Sequence, residues 1–236
     1  MRVLDLASPN QDDRPADAPI DILILHYTGM RTGTEAIARL RDPAARVSSH
    51  YVVEEDGTVF RLVPEHRRAF HAGVSHWRGH SGLNARSIGI EIVNPGHEHG
   101  YRPFPALQMA AVCDLCLEIV GRHPIPPRNV VAHSDVAPDR KEDPGELFDW
   151  RGLAANGVGI WPLAEADAMT GCGTRAASSA QPQDAARLLS SIGYRIDLPL
   201  PVLLRAFQRH WRPERVDGDP DPETLNRLAA VAAAAT

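Results

Sequence analysis

The stretch HSDVAPDRKED, residues 133–143, gathers an imidazole, an ammonium and a carboxylate into one short segment. Pro138 within it and Pro144 just beyond keep it from forming a regular helix. His133 and Asp143 are ligand types for a divalent metal, and Lys141 lies between them, placed to face whatever the metal activates. Lys141 is also the only lysine among 25 basic residues in a chain that otherwise uses arginine, and a compact ammonium is not interchangeable with a guanidinium. A catalytic zinc site takes three protein ligands and leaves the fourth position to water, so this loop requires a second histidine from elsewhere. An oxygen-only cage for calcium or magnesium suits two imidazoles poorly.

The second histidine is His26. It closes the apolar run IDILILHYT, residues 20–28, whose length and lack of helical period fit a strand buried on both faces. A base is offered by SIGIEIV, residues 87–93. Strand alternation there puts Ile88, Ile90 and Ile92 on one face and Ser87, Gly89 and Glu91 on the other. His26, His133 and Asp143 are therefore candidate metal ligands, Glu91 the candidate general base, and Lys141 the candidate oxyanion partner. From spacing alone, a core histidine at 26, a solvated acidic loop at 133–143 and surface roles for Glu91 and Lys141 account for the same residues, because no HExxH-type signature ties the ligands together.

Other constellations read as structural. Cys113 and Cys116 form a lone CxxC on an apolar helix and are expected to be small core residues. His97 and His99 flank Glu98 in a glycine-bounded stretch expected to be a solvated turn. Ser134 lacks a nucleophile-elbow context.

The elements that would position these groups follow from periodicity. Residues 1–19 are polar and Pro-rich and read as a surface lead-in. Thr34 caps an expected helix ending at Arg41, and residues 50–64 form a hairpin turning at Asp56-Gly57. Residues 65–84, rich in His, Gly and Trp, read as a long functional loop. Residues 104–122 form a helix with Leu107, Ala111, Leu115 and Ile119 on one stripe, and 146–155 a shorter one. These elements predict an α/β fold with a mixed central sheet flanked by helices over residues 1–163. Residues 164–182 have a linker composition. Residues 183–236 carry three helical patterns whose Leu188, Leu189, Ile192, Leu203, Leu204, Phe207, Leu225 and Leu228 would form a three-helix core. Such a bundle, about 50 residues long, is marginal alone and plausible when docked on a neighbour.

Composition narrows the function classes. A net charge of −5 gives no basic field for nucleic acid, and no stretch approaches the ~20 apolar residues of a membrane span. The acidic start lacks the apolar run of a secretory leader, so the chain as written reads as cytoplasmic, or periplasmic if a signal was trimmed. Three cysteines specify no disulfide framework.

The motifs ILHYT, SHYVVEEDGTVFRLVPE, AFHAGVSHW, LNARSIGIEIVN and VVAHSDVAPDRKEDPGELFDW occur in that order, and together they resemble the zinc-dependent N-acetylmuramoyl-L-alanine amidases. That family shares the peptidoglycan recognition protein-like fold. The resemblance implies one zinc ion on His26, His133 and Asp143, with Glu91 as base and Lys141 as oxyanion partner. It places His50, His71 and Asn84 in the second shell or the pocket wall. The reaction it implies is hydrolysis of the amide between the lactyl group of (1,6-anhydro-)N-acetylmuramic acid and the first L-alanine of a stem peptide, in peptidoglycan recycling or turnover. Some relatives carry Tyr before the hairpin histidine and Cys as third ligand. Ser49 and Asp143 stand here instead, as in the bacterial branch that relies on the strand Glu. The C-terminal FQRHW and VDGDPDPETLNRL resemble a small peptidoglycan-binding helical domain, which points to intact wall, whereas the missing leader points to soluble anhydro-muropeptides. A non-catalytic recognition module on the same fold is the alternative.

Overall fold

The computed structural model describes residues 3–162 and 182–236; the expected linker, apart from Pro182, lies outside the described residues. Strands β1 (Val3–Asp5) and β2 (Gln11–Asp13) lead into β3 (Ile22–Tyr27) and helix α1 (Gly33–Arg41). The hairpin β4 (Tyr51–Val53) and β5 (Val59–Arg61) follows, then β6 (Arg67–Ala69), β7 (His76–Trp77), β8 (His80–Ser81) and β9 (Ser87–Ile92). After α2 (Gly96–His99) and the long α3 (Ala106–Arg122) come β10 (Val130–Ala132), α4 (His133–Val136) and α5 (Trp150–Ala155). The C-terminal helices are α6 (Ala185–Ile192), α7 (Leu200–Trp211) and α8 (Pro222–Ala234).

Six strands form one mixed sheet in the order β1-β5-β4-β9-β3-β10, antiparallel only between β4 and β5. Hydrophobic Ile22–Tyr27 is an interior strand, between β9 and β10, and is apolar along its length because both of its faces are covered. On one face Leu23, Leu25, Ile88, Ile90 and Ile92 pack against α3. On the other, Ile22, Ile24, Val131 and Val136 share one buried cluster with Leu188, Leu189, Ile192, Leu203, Leu204, Phe207, Leu225 and Leu228. The three C-terminal helices thus bury their apolar stripes together with the sheet, where each such side chain contributes ~1.5–3 kcal/mol. No helix among the described residues is long and apolar enough to cross a membrane.

Several local expectations are corrected. The lead-in supplies two strands: β1 extends the main sheet beside β5, and β2 pairs with β6. The supposed 65–84 loop contains β6, β7, β8 and a 3-10 turn at Leu83–Ala85. Thr32, not Thr34, caps α1; its extended backbone lets the side chain accept the Glu35 N–H, following the T-x-x-E pattern. Leu107 is 69% exposed, because the buried stripe of α3 runs through Gln108, Ala111, Val112, Leu115, Cys116 and Ile119, one residue round the helix. The shorter helix begins only at Trp150 with Asp149 as cap, since Pro144 and left-handed Gly145 hold the chain out of helix before it. His97 lies exposed in a short helix rather than a turn, with its ring against Tyr101 and bonded to Tyr27 and Glu146.

Candidate metal centre and active site

Register brings the chemistry together. His26 on β3 pairs directly with Glu91 on β9, and Ala132 on β10 pairs with Leu25, so His133 begins one residue beyond, level with His26. All three lie at the C-terminal ends of neighbouring parallel strands, where open α/β sheets place their ligands. Asp143 is folded back onto them by the backbone bond from Ser134 N–H to the Asp143 carbonyl, 3.0 Å.

The result is a triangle of ligand atoms. His26 Nδ1 and His133 Nδ1 are 2.9 Å apart, and each is 3.0 Å from Asp143 Oδ2. All three residues are buried, and these three are the metal-competent group found among the described residues. The bonding around them sets the tautomers. Ser87 Oγ donates to the Leu83 carbonyl at 2.7 Å and so accepts from His71 Nε2 at 3.1 Å. His71 Nδ1 must then accept from His26 Nε2, 3.0 Å away. His133 Nε2 donates to the Ala72 carbonyl at 3.2 Å. Both imidazoles therefore carry their proton on Nε2 and turn bare Nδ1 lone pairs toward each other and toward a carboxylate. Three acceptors facing one another at this range repel unless a cation lies between them. A tetrahedral ion with bonds of about 2.0–2.2 Å sets its ligand atoms roughly 3.3–3.6 Å apart, so the observed triangle need open by only about half an ångström to hold one.

Electrostatics agree with ligation. Burial, reinforced by the neighbouring His133, lowers His26 to about 4, so it stays neutral. Burial and the charge of nearby histidines hold His71 well below its usual value. Burial alone would raise the Asp143 carboxyl, but the nearby His133 and then His26 outweigh it and hold it well below the usual carboxylate range. Glu91 behaves oppositely: burial first, then the Asp143 charge, raises it well above an ordinary glutamate, with Lys141 partly opposing. Its Oε2 is a buried acceptor with no hydrogen-bond partner among the described residues.

Glu91, His133, Asp143, His71 and Lys141 line one cavity of about 300 Å³, with Tyr27, Met30, Arg39 and Phe70 among its other walls. Lys141 lines this space and makes no ion pair among the described residues. The remaining expected residues divide. Asn84 Oδ1 accepts the backbone N–H groups of both His71 and Ala72, at 3.0 and 2.7 Å, and so holds the loop that bonds to His26 and His133. His50 lies off the triangle. Its Nδ1 accepts Gly89 N–H at 2.9 Å and its Nε2 contacts the Arg67 carbonyl at 3.2 Å, so it fastens β9. Cys116 is buried and Cys113 partly so in the α3 core, as expected. Ser134 is buried in α4 and absent from the cavity wall.

Two contributors escaped sequence reasoning. Ser87 completes the bond chain to His26, and the only signal for it was its place on the Glu91 face of the strand. Asp135, two residues after His133, accepts the Ala132 N–H at 2.8 Å and reaches into the C-terminal helices.

A mixed sheet that carries, at the C-terminal ends of its parallel strands, a His-His-Asp triangle able to hold a metal ion beside a buried glutamate has the type of site used by amidohydrolases. The N-acetylmuramoyl-L-alanine amidase family matches residues 16–146, and the chain belongs to this family of amide-hydrolysing enzymes. It is 37% identical over 222 residues to N-acetylmuramoyl-L-alanine amidase AmiD of Escherichia coli (strain K12), covering 87% of this chain and 79% of that protein. It is 34% identical over 160 residues to 1,6-anhydro-N-acetylmuramyl-L-alanine amidase AmpD of the same organism, covering 61% and 85%. Among solved structures, E. coli AmiD in complex with anhydro-N-acetylmuramic acid-L-Ala-D-gamma-Glu-L-Lys superposes with a TM-score of 0.78 at 36% identity, covering 93% of this chain and 91% of that one. Pseudomonas aeruginosa AmpDH3 in complex with anhydromuramic pentapeptide gives 0.76 at 32% identity, covering 95% and 96%.

Proposed function

We propose that the protein is a zinc-dependent N-acetylmuramoyl-L-alanine amidase that hydrolyses the amide joining the lactyl group of (1,6-anhydro-)N-acetylmuramic acid to the L-alanine of a stem peptide. The observation that carries the reading is the set of three buried lone-pair donors, two Nδ1 and one Oδ2, converging within 3.0 Å beside Glu91. His26, His133 and Asp143 would hold the ion. When bound, zinc supplies a Lewis acid that polarises a carbonyl and makes water acidic enough to ionise near neutral pH.

The chain's own groups do the rest. Glu91, with its unpartnered Oε2 and raised pKa, takes the proton of the attacking water and returns it to the departing amine nitrogen. Lys141 on the cavity wall donates to the carbonyl oxygen as it becomes negative. The complexes of AmiD and AmpDH3 with anhydromuramic peptides support the substrate class. A recognition module that binds without cutting would have no use for the base, and here base and ligands are all present. Soluble anhydro-muropeptide suits a cytoplasmic setting, and intact sacculus a periplasmic one.

Metal analysis of the purified protein should return one zinc per chain, and turnover should be compared on soluble anhydro-muropeptide and on intact sacculi. Zinc retained in full by His133→Ala would end the ligand assignment.

A further inference from the structure

The segment that supplies two of the ligands is gripped at both ends by consecutive residues of one C-terminal helix. His210 Nδ1 on α7 donates to Asp135 Oδ2 at 2.7 Å, two residues after His133. Arg209, the preceding residue, donates to Glu142 Oε1 at 2.5 Å, one residue before Asp143. The first contact is fully enclosed: Asp135 and His210 are 1% and 2% exposed, and Tyr194 donates to the other Asp135 oxygen at 2.5 Å. The His210 ring is clamped between two indoles, Trp150 at 3.8 Å and Trp211 at 3.6 Å between ring centroids, so its Nδ1 direction is fixed. Asp135 also accepts the Ala132 N–H at the start of α4, which ties the α7 contact to the backbone that aims His133.

We propose that the C-terminal bundle is part of the metal centre: His210 and Arg209 are positioning residues that hold His133 and Asp143 at ligand spacing. The bundle is then more than an appended binding module, because the triangle is kept tight from outside the sheet that bears His26. This inference rests on the metal-site reading above.

The test uses the full chain, stripped of metal and titrated with zinc against a competing chelator. A cobalt(II)-loaded sample reports ligand geometry through its visible spectrum. His210→Ala should raise the zinc dissociation constant on the order of 10–100-fold, as loss of an outer-sphere partner does, and alter the cobalt spectrum. His210→Asn, whose side-chain amide nitrogen occupies the place of Nδ1, should restore the constant to within about threefold. Leu228→Ala, a truncation in the bundle core on α8 that removes neither the His210 nor the Arg209 contact, should lower Tm and leave zinc affinity unchanged. Parental zinc affinity in a folded His210→Ala protein overturns the proposal, and so does an equal loss in Leu228→Ala, which would make the effect one of global stability. If His210→Ala does not fold, Arg209→Ala decides, because its ion pair lies partly in solvent and its removal leaves the core intact. Parental affinity there overturns the proposal equally. Should His133→Ala bind zinc like the parent, the metal-site reading itself fails; should it lose zinc while the α7 variants do not, only the present inference fails.

Discussion

Replacing Gly89 by alanine adds a single methyl group at a position whose strand backbone accepts it and whose surroundings do not. A Cβ at Gly89 would stand 2.4 Å from His71 Nδ1, 2.5 Å from its Cγ and 2.7 Å from its Cε1. Reaching a van der Waals separation of about 3.4 Å requires the imidazole to retreat by roughly 1 Å. The same ring is bonded to His26 Nε2 at 3.0 Å and Ser87 Oγ at 3.1 Å, and a shift of that size breaks both bonds. Two costs follow. Overpacking destabilises the fold by about 1–3 kcal/mol. Loss of the bond that fixes the His26 tautomer weakens metal binding about 10–100-fold. Each tenfold rise in the dissociation constant removes about 1.4 kcal/mol of zinc-linked stability when zinc is in excess. Thermal or urea unfolding with and without chelator separates the two: the gap between the zinc-loaded and stripped proteins should narrow by that amount in Gly89→Ala. The double variant Gly89→Ala/His71→Ala removes the collision but not the lost bond, so it should recover stripped-protein stability while keeping the weakened affinity. A Gly89→Ala protein that binds zinc like the parent would show that His71 does not orient His26, and the tautomer argument built on Ser87 would fall with it.

Other expectations follow from the same geometry. Glu91→Gln should lose about 10²–10⁴-fold in kcat while binding zinc at full stoichiometry, since Glu91 is no part of the ligand triangle; turnover at the parental rate would end its assignment as base. Lys141→Met should lower kcat by about 10²–10³-fold with little change in KM, because its partner charge develops only in the transition state, and a change confined to KM would mark it as a binding residue instead. As the base, Glu91 sets the acid limb of kcat/KM, so Glu91→Asp should move that limb, and an unmoved limb would assign it to another group. Stability has its own pH dependence through His50, which burial and then Arg14 lower to about 3 from 6.5. The unfolded chain takes up this proton as pH falls through about 6.5 while the folded one refuses it. The contribution is therefore complete above that pH and is lost progressively down to about 3, at up to about 1.4 kcal/mol per pH unit. A His50→Gln variant should show a flatter acid limb in urea titrations across this window; an unchanged slope would contradict the buried, neutral assignment.

What could be read from the chain, and what could not, separates along the range of the interactions involved. Glu91 and the isoleucines were legible because strand alternation is local: three residues on each side assign the face. His26 was legible because an apolar run has a visible end. The loop 133–143 announced itself through residue chemistry, two ligand types and a solitary lysine, without any need for its conformation. Parallel register, by contrast, is set by pairing between distant segments, and register makes the site: His26 opposite Glu91, with His133 one residue beyond the Ala132–Leu25 pair. No window of sequence contains that row. Three-residue strands such as Val3–Asp5 carry too few positions to show a period and exist because Val3 pairs with Val59. Gly89 looks like an ordinary weak point in a strand until His71 is seen lying across it. The FQRHW run likewise reads as one amphipathic helix among three, since Arg209 and His210 acquire meaning only from Glu142 and Asp135, more than sixty residues earlier in the chain. Chemical types therefore point to the ligands, while the spacing between those ligands is imposed by partners that local patterns do not register. Second-partner variants such as Gly89→Ala and His210→Ala test that division more sharply than removal of a ligand, because they leave every ligand type in place and alter only how it is held.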